Sequence, residues 1–234
     1  MIPIRDDNPR RYFPFITLLI IIANIAVQIY QWKLGSEAAR ALIYRLGAIP
    51  WEIVHFQELP DLPIAYQSGF PNVVTLITSL FLHGGFFHLA GNMLYLWIFG
   101  DNVESIMGHF RFLVFYLCCG VIATMTHVFI DPSATIPMIG ASGAISGVLA
   151  AYLVRFPHAK VHILIIFFFF IRVVKVSAVF VLGFWFLVQI LNGLGTLGVR
   201  GGGVAWFAHI GGFAAGLVLV FLFTKKKRIQ IHRI

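Results

Sequence analysis

The apolar residues of this 234-residue chain come in long blocks, and these blocks restrict the possible folds more than any other feature of the sequence. Hydrophobic residues make up 59% of the chain and charged residues only 11%, whereas about 25% of the residues in soluble domains are charged. The polar residues are too few to cover a surface that faces water. Blocks of about 20 apolar residues are typical of helices that cross a bilayer. This pattern excludes a soluble globular domain and a disordered chain.

Six segments of the chain fit membrane helices. They follow an N-terminal segment at residues 1–14 and precede a basic tail at residues 224–234, so one unit at residues 15–223 contains them all. Residues 33–72 carry charges and several prolines, and we expect them to fold as a loop at the membrane interface. The six spans are predicted at residues 15–32, 85–104, 112–130, 142–154, 177–194 and 204–223.

The fourth segment is too short to cross a bilayer as a helix. Residues 142–154 extend about 20 Å at 1.5 Å per residue, whereas the hydrocarbon core is about 30 Å thick. We therefore predict that this helix begins inside the membrane, and that the loop before it lines a cavity where its backbone groups find partners. Residues 161–171 are shorter still, and they predict either a strand or an interfacial segment.

The basic residues lie at the ends of the apolar blocks, where they set the orientation of a membrane protein. The pI near 9.8 alone would suggest a nucleic-acid partner, but this placement argues against one. Because most Lys and Arg residues fall on the side of both termini, we expect a multi-pass protein of the cell membrane with both termini in the cytoplasm. The residues on that side are Arg5, Arg10, Arg11, Arg111, Arg155, Lys160, Arg172, Lys175, Lys225, Lys226, Lys227, Arg228 and Arg233.

Four polar side chains lie near the N-terminal ends of the even-numbered spans. They are His88 and Asn92 on the second span, Ser142 on the fourth and His209 on the sixth. These three spans run in the same direction, and all four residues lie about 5–10 Å below the same membrane surface. His88 and Asn92 are four residues apart and share a helix face. We therefore expect three helices to bring these four side chains together.

Each of these residues has a structural interpretation when it is considered alone. Small residues such as those around Ser142 usually pack helices together in membranes, and Gly143 with Gly147 fits that pattern. A single histidine in a membrane helix is as often a hydrogen-bonding residue between helices as a functional one, and a single Asn92 usually joins helices. The shared depth of the four favours a functional site.

Ser142 and His209 together fit nucleophilic catalysis. A neutral imidazole accepts the hydroxyl proton near neutral pH, and the activated serine attacks a carbonyl carbon. The oxyanion that forms needs donors, which the Asn92 amide, a ring N–H of His88 and the backbone N–H of Ser142 can supply. The last two spans contain no acidic residue, and only Asp131 lies near a suitable depth. We therefore favour a Ser142–His209 dyad that other contacts orient.

The chain carries four motifs in a specific order and spacing. They are HGGFFHLAGN at residues 83–92, Glu104 followed by Gly108, GASG at residues 140–143, and AHIGG at residues 208–212 followed by Gly216. This combination resembles the rhomboid family of intramembrane serine proteases over nearly the whole chain.

The resemblance implies an all-α bundle of six transmembrane helices in which Ser142 and His209 form a catalytic dyad and His88 and Asn92 support the oxyanion. It also implies that the chain hydrolyses peptide bonds in or beside transmembrane helices of membrane-protein substrates in the bilayer. Neither a metal nor another cofactor is expected. Mobility of the fifth helix would admit the substrate.

Two positions depart from the family pattern. Ser146 stands one turn after the nucleophile, where some rhomboids carry a tyrosine that stacks on the catalytic histidine. Val74-Thr75 stand where a Trp-Arg pair is often found in the first long loop. Gln189 on the fifth span faces either the bundle or lipid, and Glu104 is either a solvated helix-end charge or a structural group. His83 either braces the loop behind the site or lies at the interface.

Two other functional classes compete with a protease. A rhomboid-like protein without activity would bind membrane-protein clients and leave them uncut, but the intact Ser142 and His209 argue against it. A small transporter or channel is disfavoured because no internal repeat is evident and the last two spans lack charged residues. The two cysteines, Cys118 and Cys119, are adjacent, so they offer neither a disulfide framework nor the spacing of a metal site.

Overall fold

The computed structural model of the chain describes residues 2–9, 12–60, 62–167, 170–196 and 203–224. Within these ranges the chain forms a bundle of α-helices with a small antiparallel sheet. The helices are α1 Phe15–Lys33, α2 Ser36–Leu46, α3 Pro50–His55, α4 Thr75–Thr78, α5 Phe86–Met107, α6 His109–Ile130, α7 Ser142–Arg155, α8 Ala178–Gly195 and α9 Trp206–Phe223. The strands are β1 Ile2–Asp6, β2 Lys160–Phe167 and β3 Phe170–Ser177.

Four helices in the described ranges are long and apolar enough to cross a bilayer, namely α1, α6, α8 and α9. A fifth crossing forms if the segment Asn72–Phe81 is counted together with α5, from which it is bent by 82°. The remaining apolar helix of the bundle, α7, is shorter than a full span, as the sequence predicts. The helical membrane bundle is therefore confirmed, while the count of six crossings and the depth at which α7 begins stay predictions.

Helices α5 and α6 are joined by a single residue, Gly108. Its φ angle of +86° lies in the left-handed region, where glycine is favoured because other residues are strained. This tight turn lets α6 begin at His109, earlier than the predicted start at residue 112. It also places the end of α5 directly beside the beginning of α6.

The sheet is a feature that the all-α prediction omits. Residues 160–167 form a strand, which confirms one of the two interpretations of the segment at 161–171. This strand is central in the order β1-β2-β3 and pairs antiparallel with both neighbours. The N-terminal segment supplies β1, which pairs Ile2 with Leu164 across most of the chain length.

Helix α7 forms the centre of the bundle, and its residues 143–152 are buried. Glycines allow it to approach α9 very closely: a Cβ atom on Gly212 would overlap the Gly143 carbonyl, and one on Gly216 would overlap Gly147. The packing interpretation of these small residues is therefore correct. It also explains why α7 and α9 hold their N-terminal residues side by side.

A buried carboxylate holds the start of α1 against the α5–α6 turn. Glu104 accepts hydrogen bonds from the backbone N–H groups of Ile16 at 3.0 Å and Thr17 at 2.8 Å, and from the Thr17 hydroxyl at 2.7 Å. The ring of His109 contacts the same carboxylate. The first N–H groups of a helix have no partner within the helix, so Glu104 caps α1 from another element. Glu104 is therefore a structural group and not a solvated charge at a helix end.

The N-terminal strand is anchored to the far end of α7. Asp6 contacts the Tyr152 hydroxyl and accepts a hydrogen bond from Asn102 at 3.1 Å. Burial raises the pKa of the Asp6 carboxyl above its usual value. The basic residues Arg10, Arg11 and Arg200 and the tail at 225–234 lie outside the described residues. That both termini lie on one face of the bilayer stays a prediction.

Candidate active site

The four predicted residues lie near the N-terminal ends of three neighbouring helices. Ser142 is the first residue of α7, His209 lies in the first turn of α9, and His88 and Asn92 lie in the first two turns of α5. Because α7 packs against both α5 and α9, these ends meet around the loop that precedes Ser142.

Ser142 and His209 are in hydrogen-bond contact. The distance between Ser142 Oγ and His209 Nε2 is 2.7 Å. His209 is buried, whereas Ser142 is partly accessible. With a neutral imidazole whose Nε2 carries no hydrogen, the serine hydroxyl donates to the ring and is placed to lose its proton to it.

The other ring nitrogen of His209 contacts Gln189, a residue that has no assigned role in the sequence analysis. Gln189 Oε1 lies 2.8 Å from His209 Nδ1, and Gln189 Nε2 donates to the Trp185 backbone carbonyl at 3.0 Å. The indole rings of Trp185 and Trp206 lie near the imidazole, with ring centroids 6.0 and 6.1 Å away. The signal in the sequence that could have pointed to Gln189 was a polar side chain in the middle of an apolar span. Of its two predicted orientations, Gln189 has the one that faces the bundle.

Ser146, one turn after Ser142, uses its hydroxyl within α7. It donates to the Ser142 backbone carbonyl at 2.7 Å. Asp131, the one acidic residue considered for a triad, accepts a hydrogen bond from Ser133 at the end of α6. Gln189 takes the position beside His209 Nδ1 where a triad would place a carboxylate.

His88 and Asn92 face the loop that leads into α7. A Cβ atom on Gly140 would lie 2.8 Å from His88 Nε2 and 3.7 Å from Asn92 Nδ2, and the Gly140 φ angle of +121° also favours glycine. The Gly84 backbone N–H donates to His88 Nδ1 at 3.3 Å. In a neutral ring the hydrogen of His88 is then on Nε2, which points toward Gly140.

His83 lies behind Asn92 and away from the surface. Only 1% of its area is exposed, and His83 Nε2 lies 2.9 Å from Asn92 Nδ2. Its backbone carbonyl accepts from Gln31 Nε2 at 3.3 Å. Of the two interpretations of His83, the one in which it braces the loop and the Asn92 amide describes these contacts.

A small cavity of about 30 Å³ adjoins Ser142. This volume is enough for about two water molecules. Among the described residues no group of three or more His, Cys, Asp and Glu side chains could hold a metal ion. The polar residues that line the cavity are Ser79, Thr124 and Ser142.

Comparison with known proteins gives one family. Residues 71–226 match the family model described as Rhomboid domain. The yeast (Saccharomyces cerevisiae) Rhomboid protein 1, mitochondrial, is 30% identical over 68% of this chain and 44% of its own length. The human (Homo sapiens) Presenilin-associated rhomboid-like protein, mitochondrial, is 33% identical over 56% of this chain and 34% of its own. Rhomboid protease GluP of Bacillus subtilis is 36% identical over 62% of this chain and 25% of its own length.

These comparisons correct the predicted membrane location. The yeast and human relatives are mitochondrial by name, so the predicted location in the cell membrane, with both termini in the cytoplasm, is wrong. A multi-pass membrane protein is supported. The chain spans less than half the length of each of these curated relatives.

Proposed function

The chain belongs to the rhomboid family, and from this membership we propose that it is an intramembrane serine endopeptidase. The observation that carries the proposal is the contact of 2.7 Å between Ser142 Oγ and His209 Nε2. One of the relatives is a protease by name, which supports the same reaction class. The substrates are membrane proteins, which are cut in or beside their transmembrane helices.

In the proposed reaction His209 Nε2 takes the hydroxyl proton while Ser142 Oγ attacks the carbonyl carbon of the scissile peptide bond. The tetrahedral intermediate carries its negative charge on the former carbonyl oxygen. When it collapses, the C–N bond breaks and His209 returns the proton to the leaving amine. The products of this step are an amine fragment and an acyl ester on Ser142.

Three donors are available for the oxyanion. His88 Nε2–H and an Asn92 Nδ2–H face the Gly140 backbone, two residues before the nucleophile. The backbone N–H of Ser142 is at the start of α7, where helix N–H groups lack partners within the helix. A well-placed donor of this kind lowers the barrier by about 3–4 kcal/mol.

Hydrolysis of the ester needs a water molecule beside Ser142. The cavity of about 30 Å³ offers that space, and its polar groups on Ser79 and Thr124 are suitable partners for water. His209 then takes a proton from the water as it attacks, and Ser142 regains its hydroxyl hydrogen. The reaction balances without a metal or another cofactor.

The relatives named above suggest where this reaction takes place. Because the yeast and human proteins are mitochondrial by name, a mitochondrial membrane is the proposed location. Small or helix-destabilising residues near the cleavage site are expected in substrates, since a regular helix hides its carbonyl groups from attack.

Labelling with a fluorescent fluorophosphonate tests the nucleophile. We expect the purified wild-type protein to be labelled and Ser142→Ala to remain unlabelled, because the reagent forms a covalent bond with an activated serine. Ser146→Ala is the matched control, since it removes a hydroxyl one turn away on the same helix, and it keeps the label. Absence of label on folded wild-type protein would contradict the proposal and favour a protein that binds membrane clients without cutting them.

A further inference from the structure

The contact between Gln189 and His209 defines a one-directional series of hydrogen bonds that ends at the nucleophile. The Trp185 carbonyl accepts from Gln189 Nε2 at 3.0 Å, which turns Gln189 Oε1 toward the imidazole. Oε1 is only an acceptor, so the His209 Nδ1 atom 2.8 Å away carries the ring hydrogen. His209 Nε2 is then the unprotonated nitrogen that faces Ser142 Oγ. Each donor and acceptor in the series is fixed by the one before it.

The helix that carries Gln189 is the least enclosed of the long apolar helices. In the apolar stretch of α8, 22% of the residues are buried, against 33% in that of α1 and 39% in those of α6 and α9. Large side chains such as Phe180 and Phe184 are exposed on its outer face. Gln189 is among its few buried residues, with 4% of its area exposed. The buried polar contact thus joins a loosely enclosed helix to the centre of the site.

We propose that Gln189 is a positioning residue that orients the general base, so that His209 has its productive tautomer only while α8 is packed against α9. The inference rests on the proposed function and adds a condition to it. A shift of α8 by about 1 Å lengthens the 2.8 Å contact beyond hydrogen-bond range. His209 is then free to rotate or to place its hydrogen on Nε2, where it cannot accept from Ser142. Displacement of α8 therefore switches off the base without touching the nucleophile.

The Gln189 side-chain amide also limits how far the imidazolium of His209 is stabilised during the reaction. A carboxylate in this position would both orient the ring and stabilise the imidazolium that forms during attack, whereas an amide oxygen only orients it. Gln189→Glu keeps the acceptor and adds the charge, and Gln189→Leu removes the acceptor at similar size. Comparison of the two variants separates the effect of orienting the His209 ring from the effect of a negative charge beside it.

Steady-state cleavage of a membrane substrate in liposomes tests the positioning role. We expect Gln189→Leu to lower kcat by roughly 100-fold with little change in KM, the size of effect that follows from a misplaced catalytic group. Gln189→Glu keeps substantial activity, and its acidic limb of kcat/KM lies at higher pH. Asn192→Leu, which removes an exposed polar side chain one turn away on α8, retains wild-type kinetics.

The outcomes separate this inference from the proposed function. If wild type cleaves and Ser142→Ala does not, but Gln189→Leu cleaves at the wild-type rate with the wild-type pH profile, the role of Gln189 is contradicted and the protease stands. If wild type and Ser142→Ala do not differ, the proposed function itself fails.

Histidine NMR provides a measurement that does not depend on turnover. In protein labelled with ¹⁵N-histidine we expect a His209 signal of the Nδ1–H tautomer, assigned by its loss in His209→Ala. Gln189→Leu removes that tautomer signal from folded protein. Phe186→Ala weakens this signal, because the Phe186 ring stacks on the Phe213 ring with centroids 4.1 Å apart and so joins α8 to α9. An unchanged signal in Phe186→Ala would contradict the dependence on α8.

Discussion

Two serines one turn apart on α7 differ only in their surroundings. The Ser142 hydroxyl faces His209 Nε2, whereas the Ser146 hydroxyl is bonded to the backbone carbonyl of Ser142. The first can transfer its proton to a base and the second cannot. The proposed reactivity of Ser142 therefore depends on the helix end that exposes it and on the imidazole that α9 brings to it.

The sequence predicts four residues that the structure brings near one another, and it assigns no role to Gln189, which contacts His209. Ser142, His209, His88 and Asn92 could be found because polar residues at helix starts of the same direction share one depth. Gln189 could not be placed, because a single polar residue in an apolar span does not reveal which face of its helix meets the bundle. That information depends on the packing of α8 against α9, which is a tertiary property.

The Asn92 amide is expected to act mainly in the transition state. Asn92→Ala removes an oxyanion donor and leaves Ser142 and His209 in contact, so kcat is expected to fall by roughly 10- to 1000-fold while KM changes little. Steady-state kinetics in liposomes measures both constants. A thermal unfolding curve checks that the variant remains folded, and a kcat equal to that of wild type would remove Asn92 from the oxyanion site.

At the scale of elements, the crossing of α7 and α9 determines the geometry of the dyad. The glycines at this crossing bring backbone against backbone, and His209 lies one turn before Gly212 on α9. The short α7 could be predicted because its length is a local property of the sequence. The sheet could not be predicted in full, because β1 pairs with residues far along the chain and its own sequence shows no strong alternation.

Gly212→Ala tests this crossing. The added methyl group would overlap the Gly143 carbonyl, which belongs to the backbone and cannot rotate away, so we expect a loss of roughly 1–3 kcal/mol in the free energy of unfolding. The displaced α9 also moves His209, and cleavage falls more than stability alone explains. Gly183→Ala is the matched control, because a methyl group there meets open space. Equal melting temperatures for the two variants would contradict the proposed role of the crossing.

At the scale of the whole molecule, composition and charge decide different questions. The apolar content identifies lipid as the surrounding medium, and the placement of Lys and Arg predicts that both termini lie on one side. Neither property identifies the membrane. The charge rule relates the two faces of one bilayer, so it could not distinguish a cell membrane from a mitochondrial one, and the yeast and human relatives are mitochondrial by name.

The proposed proteolysis is tested most directly by mass spectrometry of membrane-protein fragments from cells that produce either the wild-type chain or Ser142→Ala at equal levels. Proteolysis by Ser142 predicts fragments with new termini in or beside transmembrane helices in the wild-type cells and their absence with Ser142→Ala. The same fragments in both samples would contradict the claim that Ser142 is the nucleophile of an intramembrane protease.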